Sequence, residues 1–387
     1  MKPERSKSLL LSGYIKSATY VRLQAKCIKK NVATQMTGGL ETSLVKNKTS
    51  LTDLPLVSIV MAVKDTAEYL PDCLDSILAQ SYPHWELLAV NDHSTDATPD
   101  ILSAYAAKDS RIRVFHSDRP RLIPTLQVGY AEAKGTLINR MDSDDMMPDY
   151  KLQVLVEEWL KHGKGTIIAG GTKHFVDEGE VGDGFIRYER WLNTVARKNT
   201  HYQEIYRECV IPSHCWIIHK DDFDAAGAFD PIVYPEDYDL CFRFYKLGLN
   251  VVGINRVLHY WRDRSERISR TWEEYKDNRY FDLKLRYFYE LDRNHQRPLV
   301  LWGAGRNGKD MARLLQNYGD TFHWMSNNER KTGKDIYGVR LHHYSQIVDL
   351  ENPQIIIAVA SPSGKNQIKQ QLKWWQKKPV EDYWFFS

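Results

Sequence analysis

A chain of 387 residues, 42% hydrophobic and 12% aromatic, can bury a full core and exceeds one average domain, so two domains are expected. The formal charge of +3 is uneven: residues 1–50 hold 10 Lys and Arg against 2 acids, leaving 43 against 48 in the remainder, which excludes a basic nucleic-acid face in the body of the chain. Five cysteines (Cys27, Cys73, Cys209, Cys215 and Cys241) form no Cys-x-x-Cys pair and no zinc-type spacing, which argues against a disulfide framework or structural zinc and fits a reducing, cytoplasmic setting.

Residues 1–54 form a basic leader. The stretch "LLLSGYIKSATYVRLQAKCIKK" reads either as a solvated tail or as an amphipathic helix with Leu11, Tyr14, Ile15, Ala18 and Val21 on one side, suited to an anionic membrane surface. No apolar run approaches the roughly 18 residues of a membrane span, and the secretory pattern of apolar core and small-residue cleavage site is missing, so a soluble or peripherally attached protein is expected.

From Pro55 short apolar runs alternate with helical periodicity, the pattern of parallel strands joined by helices. "LVSIVMAV" (56–63) is a strand, and Leu70, Cys73, Leu74, Ile77 and Leu78 then mark one face of a helix. "WELLAVND" (85–92), "IRVFH" (112–116) and "TLINRMD" (136–142) follow as strands, the second and fourth of the series ending in acids. In open α/β sheets ligands bind beyond the carboxyl ends of the strands, so Asp65, Asp92 and the acids from Asp142 to Asp145 are expected to share one crevice.

"NRMDSDDMMPD" (139–149) packs Asp142, Asp144, Asp145 and Asp149 into eight positions. Crowded carboxylates repel unless a cation is shared, and Mg²⁺ or Mn²⁺ takes oxygen ligands from one or two carboxylates together with substrate phosphates. An EF-hand is excluded, because its fifth, sixth and twelfth positions from Asp142 are Met146, Met147 and Gln153. A solvated acidic turn is the plainer alternative.

With these elements in view, residues from about Pro55 to Arg270 resemble the family 2 glycosyltransferases, inverting enzymes of GT-A fold that use nucleotide sugars. "VSIVMAVKD" is similar to the family's opening strand and donor-base loop, implying donor contacts at Ala62, Val63 and Asp65, although Ala62 and Asp65 stand where Pro and Asn are common. "AVNDHSTDAT" resembles the nucleobase signature, with Asp92 as the reading residue and His93 in a Gly position. "NRMDSDD" matches the Arg-x-Asp-Ala-Asp-Asp element. That match implies Arg140, Asp142 and Ser143 at the donor and Asp142 and Asp144 at the metal-bound diphosphate.

"YPEDYDLCFR" (234–243) resembles the segment that supplies the base, implying Asp237 as catalytic base beside Glu236. The chemistry agrees, since a single displacement requires a carboxylate to take the acceptor hydroxyl's proton. An ordinary helix start with acids in its first turn is the alternative for Asp237. "RVLHYWRDRSERISR" (256–270) resembles the closing segment, implying His259 near the metal and Arg262 or Arg264 near the diphosphate, although a His beside Tyr260 and Trp261 also reads as packed core. His214 is open to both an acceptor-site and a buried structural reading.

A long aromatic and charged helix is expected over the linker 271–296, followed by a Rossmann-like domain at 297–387. There "RPLVLWGAGRNGKDMARLL" runs a strand into Gly303-x-Gly305-x-x-Gly308 and a helix, the geometry for a phosphate at a helix N-terminus. The second strand, "TFHWMSN", offers Ser326, Asn327 and Asn328 where NAD binding calls for an acid, and "IIIAVAS" (355–361) is a further buried strand.

The sequence therefore predicts a two-part α/β protein: a GT-A type transferase at 55–270 with a small Rossmann-like appendage. It would move a sugar from a nucleoside diphosphate, UDP favoured, to a hydroxyl of a glycan or lipid-linked acceptor with Mg²⁺ or Mn²⁺, in bacterial surface polysaccharide or glycoconjugate synthesis. The competing readings are a non-catalytic nucleotide-sugar binding protein and an NAD-linked oxidoreductase centred on the glycine loop.

Overall fold

The computed structural model describes residues 54–264, 267, 272–273 and 279–387. The expected leader helix lies outside these residues, as do parts of the closing segment and of the linker. Residues Pro55–Ser387 form one compact unit built on two sheets.

The first sheet begins with β1 (Val57–Val63), α1 (Leu70–Leu78), β2 (Trp85–Asn91), α2 (Thr98–Ala106), β3 (Ile112–His116), α3 (Leu122–Ala131) and β4 (Leu137–Arg140). All seven residues of β2 and six of the seven in β1 are buried, as expected of parallel strands covered on both faces. Pro71 opens α1, which turns Leu70, Cys73, Leu74 and Ile77 onto the sheet. Gly129 lets α3 lie close on it, since a Cβ there would stand 2.9 Å from Val90.

Next come α4 (Lys151–His162), β5 (Thr166–Phe175), α5 (Asp183–Lys198), β6 (Trp216–His219), α6 (Lys220–Ala225), α7 (Glu236–Lys246) and β7 (Asn250–Arg262). The strand order is β3-β2-β1-β4-β6-β5-β7. Strand β6 is antiparallel to both neighbours, and the other pairings are parallel. Since β2 and β3 lie on one side of β1 and β4 on the other, the chain reverses its winding between β1 and β4, where such sheets open a crevice. Register shifts at Gly170 and Gly171 make β7 bulge, so that Thr172 pairs with His259.

The second sheet contains β8 (Leu299–Trp302), β9 (Phe322–Ser326), β10 (Asp335–Ile336), β11 (Val339–His343), β12 (Gln354–Ile357) and β13 (Tyr383–Phe385). Its order is β10-β11-β9-β8-β12-β13, parallel throughout except for the β10-β11 hairpin. Its helices are α9 (Arg306–Asn317) and α10 (Pro362–Trp374), preceded in the chain by α8 (Phe281–Tyr287). Gly303, at φ 135°, takes a left-handed turn after β8, and a Cβ on Gly308 would stand 2.0 Å from the Gly303 carbonyl oxygen, so α9 rests directly on the loop.

In the described part of the linker, α8 follows Tyr280 at φ 46° and gives way to a π-turn over Phe288–Asp292. Strand β12 is shorter than the sequence suggests: it stops at Ile357, and the chain then turns so that the Ser361 hydroxyl caps α10. Phe288 joins the two sheets by packing edge-on against Tyr206 on one side and Trp384 and Phe386 on the other. Among the described residues no helix is long and apolar enough to cross a membrane.

Candidate active site

The loops after β1, β2 and β4 meet at the crevice edge. Val63 is buried and Ala62 partly buried at the end of β1, where the Val63 carbonyl accepts from the Asp92 amide at 2.8 Å. Asp65 is exposed at φ 45°, and its carboxylate accepts from the Thr95 amide at 2.7 Å. It is therefore turned onto the loop after β2. Asp92 is 4% exposed; its oxygens accept from the Arg121 amide at 3.2 and 3.3 Å, and Oδ1 lies 3.2 Å from His93 Nδ1. The guanidinium of Arg121 lies against the rings of Tyr234 and Trp272, walling this end of the crevice.

Strand β4 ends at Arg140, and the four acids spread over the turn that follows. The Thr66 hydroxyl donates to Ser143 Oγ at 3.2 Å, which ties the loop after β1 to this turn. Asp145 N–H returns to the Asp142 carbonyl at 3.2 Å, and Met146 bridges to Tyr260 of β7 through two backbone hydrogen bonds. This clamp separates the carboxylates. Asp142 and Asp144 stay near the crevice, Asp145 turns fully inward, and Asp149 is exposed.

Each acid meets a different partner. Arg140 donates to Asp142 at 3.1 Å and to Glu236 at 2.8 Å, so one buried guanidinium ties the turn to the start of α7. Burial pushes the Asp142 carboxyl upward, yet Arg140 and then His214 outweigh it and hold the group well below the usual carboxylate range. Asp144 accepts from Arg264 Nε at 2.7 Å. Arg262 donates to the Asp144 carbonyl at 2.8 Å and pairs with Asp72 at 3.0 Å and with Asp177, so it braces the turn from behind.

Asp145 lies behind this front. It accepts from the Arg262 amide at 2.7 Å and faces His259 Nε2 at 2.9 Å, while the rings of His259 and His214 stack 3.6 Å apart. Asp145, His214 and His259 each offer one ligand atom within 4.8 Å of the others, so together they form a candidate metal-binding group. All three are fully buried. Burial, and then the Asp144 charge, raise the Asp145 carboxyl well above its ordinary value; burial lowers His214 to about 4 and His259 well below its usual value. The equally buried Lys151 ammonium donates to the His214 carbonyl at 2.7 Å and lies 3.5 Å from His259 Nδ1. His259 is thus grouped with Asp145 and His214, whereas the sequence reading joined it to Asp142 and Asp144.

Asp237 sits in the first turn of α7, where its carboxylate accepts from the Tyr238 amide at 2.8 Å. It lines a cavity with Arg140, Glu236, Ser213 and the apolar Ile211, Trp216 and Phe229. Burial, and then the neighbouring Glu236 charge, push the Asp237 carboxyl up to about 7. The same cavity wall includes Cys241, whose sulfur lies 3.7 Å from that of Cys209 without a bond.

The predicted residues therefore fall into four groups: Ala62, Val63, Asp65 and Asp92 around the β1 and β2 ends, Arg140, Asp142, Ser143, Asp144 and Arg262 at the turn after β4, Glu236 with Asp237 at the α7 start, and His259 in the buried group with Asp145 and His214. Sequence reasoning missed Asp145 as the inward partner of His259, and it missed Lys151. No local spacing signals a contact between residues 114 positions apart.

Residues 58–227 match the family described as Glycosyl transferase family 2. The chain is similar to EpsE of Bacillus subtilis, 34% identical over 227 residues that cover 56% of this chain and 76% of that protein. It is also similar to TuaG of Bacillus subtilis, a glycosyltransferase named for teichuronic acid biosynthesis, 26% identical over 233 residues, 58% of this chain and 88% of that one. A crystal structure of S. aureus TarS in complex with UDP-GlcNAc aligns with a TM-score of 0.47 at 17% identity, covering 62% of this chain and 68% of that one.

Proposed function

The chain belongs to glycosyl transferase family 2, and from that premise we propose that it performs inverting transfer of a sugar from a nucleoside diphosphate to an acceptor hydroxyl, with Asp237 as the base. The observation that carries this reading is the Arg140 bridge. One guanidinium holds both Asp142, at the donor end, and Glu236, beside the carboxyl raised to about 7, so donor turn and base are set as one unit. A base of that strength is matched to neutral pH and releases its proton readily afterwards.

In this reading Asp92 meets the nucleobase, with Ala62, Val63 and Asp65 shaping the loop beside it. Asp142 and Ser143 meet the ribose, and Arg264 stands by the diphosphate with Arg262 behind it. Asp142 and Asp144 are an all-oxygen set that fits Mg²⁺ or Mn²⁺. When bound there, the ion supplies positive charge against the departing diphosphate. Asp145, His214 and His259 are the less suitable holders of a divalent ion, because the buried Lys151 cation already faces His259. Arg264, paired with Asp144 at 2.7 Å, would move between the carboxylate and phosphate oxygens as donor enters and leaves.

The first sheet supports assignment to the GT-A type, and the parallel second sheet with its Gly303 turn supports a Rossmann-like module at 297–387 without a hydride-transfer role. The name of TuaG supports a glycan or lipid-linked acceptor in surface polysaccharide synthesis. The unbonded Cys209 and Cys241 sulfurs support a reducing, cytoplasmic location, with the basic leader as peripheral membrane contact. The test is thermal stabilisation by a panel of nucleotide sugars with and without Mn²⁺, followed by assay of nucleoside diphosphate release. Stabilisation by a UDP-sugar that disappears on chelation is expected, and indifference to every nucleotide sugar would overturn the reading.

A further inference from the structure

A second cleft, of about 340 Å³ including its mouth, opens where the two sheets meet and is lined by Arg207, Pro362, Lys365, Asn366, Lys369 and Phe385. None of the donor-site or base residues takes part in it. Arg207 comes from the segment before β6, and the lysines come from α10.

Its charges are unbalanced. Glu204 is shared by two cations, with Oε1 2.8 Å from Lys369 Nζ and Oε2 3.2 Å from Arg207 Nη1. Among the described residues the Lys365 ammonium makes no hydrogen bond or ion pair, although the residue is partly buried; only its backbone N–H is engaged, donating to the Ser361 carbonyl at 3.0 Å. Burial, and then the Arg207 charge, push its ammonium down to about 8. Glu208 is also near, with its Oε1 accepting from the Cys209 amide at 3.0 Å. Lys365 also stands near the start of α10, where the helix dipole disfavours a cation. Three cations set against Glu204 and Glu208 near a positive helix end are stabilised when a multiply charged anion enters.

We propose that this cleft is a binding site for a phosphate or pyrophosphate group, held by Lys365, Arg207 and Lys369, with Phe385 and Pro362 as an apolar wall for whatever the phosphate is attached to. Arg207 supplies a planar donor pair and the lysines supply point charges, the combination that suits phosphate oxygens. The segment that contributes Arg207 continues to Ile211 and Ser213 in the Asp237 cavity, so the two cavities share one stretch of backbone.

The experiment is calorimetric titration of the full chain with inorganic pyrophosphate in EDTA, at fixed ionic strength, so that metal-dependent donor binding is silent. Wild-type protein should bind. Lys365→Gln and Arg207→Gln should each weaken binding about tenfold or more, the value of a hydrogen bond to a charged group, while Lys334→Gln, at an exposed position outside the cleft, leaves it unchanged. Without ligand, Lys365→Gln should melt at or above the wild-type temperature, since it removes a partnerless cation, and pyrophosphate should raise the wild-type melting temperature more than that of the variant. Absence of binding in EDTA, or equal binding by Lys365→Gln, overturns the proposal. Co-sedimentation with phosphatidic acid vesicles, stronger for wild type than for Lys365→Gln, would identify a lipid headgroup as the source; equal sedimentation with pyrophosphate binding retained would identify a free phosphate compound. Because metal-dependent donor binding is silent in EDTA, failure here leaves the transferase reading standing.

Discussion

If Asp237 is the base, its titration must appear in the rate. With the carboxyl at about 7, only about a tenth is ionised at pH 6 and about nine tenths at pH 8, so transfer should rise about tenfold across that interval. The assay is the initial rate of nucleoside diphosphate release at saturating donor and acceptor, in buffers from about pH 5.5 to 8.5. Glu236→Gln removes the second largest cause of the upward shift and frees Arg140 from its pair, both of which favour ionised Asp237; the midpoint should therefore move below that of wild type. Asp237→Asn should lower the rate by roughly 10²–10⁴-fold, the usual worth of a positioned base, with donor affinity retained. The same shift bears on stability. A carboxyl raised from 3.8 to about 7 binds its proton more tightly in the folded state, so its contribution is complete below 3.8 and is lost as pH climbs to about 7. Asp237→Asn should accordingly melt higher than wild type at pH 8. A flat rate profile between pH 6 and 8, or a midpoint near that of a free carboxylate, refutes the assignment.

Asp144→Ala should abolish the Mn²⁺-dependent part of donor binding while leaving the part measured in EDTA intact, as read by calorimetry under both conditions. His214→Ala should leave metal dependence unchanged, since the proposed ion belongs to the front carboxylates; loss of Mn²⁺ binding in this variant, followed by electron paramagnetic resonance, would move the ion to the buried group. Gly253→Ala sets a Cβ 2.0 Å from the Ala196 carbonyl oxygen, where β7 passes the end of α5, and should destabilise the fold by about 1–3 kcal/mol, measured by urea unfolding.

The first half of the fold was open to sequence reading because β1 and β2 are short, largely apolar runs, and buried parallel strands have few other ways to look. The start of α7 was equally plain, since acids follow Pro235 directly. The inward turn of Asp145 was not. It depends on the Met146 bridge to Tyr260 and on the bulge that pairs His259 with Thr172, and both are tertiary hydrogen-bonding facts with no local pattern. Lys151 misleads for a related reason. At the first position of α4 it reads as a solvated charge, whereas the stacked histidines and the His214 carbonyl draw it fully inside. In the described part of the linker the left-handed backbone of Tyr280, directly before α8, is likewise a feature that apolar spacing does not signal.

The crowding of acids at residues 142–149 is resolved by division of labour. Asp149 is left to solvent, and Asp145 is turned inward, where burial and then the Asp144 charge raise its carboxyl above the ordinary value. Asp142 is matched by Arg140, and Asp144 by Arg264. Only the last pairing joins a carboxylate to a guanidinium from the closing segment, on a side chain 18% exposed, so it is the one most easily exchanged. In the proposed reading Asp144 would help hold the ion, which would supply positive charge there, and Arg264 would be released to meet phosphate oxygens. An arginine held against the acid would then be compatible with a site that admits a metal. The corresponding pair at Arg140 cannot exchange in this way, because its guanidinium also holds Glu236 and is almost entirely buried. Fixed on that side and exchangeable on the other, the turn can admit a donor without moving the base.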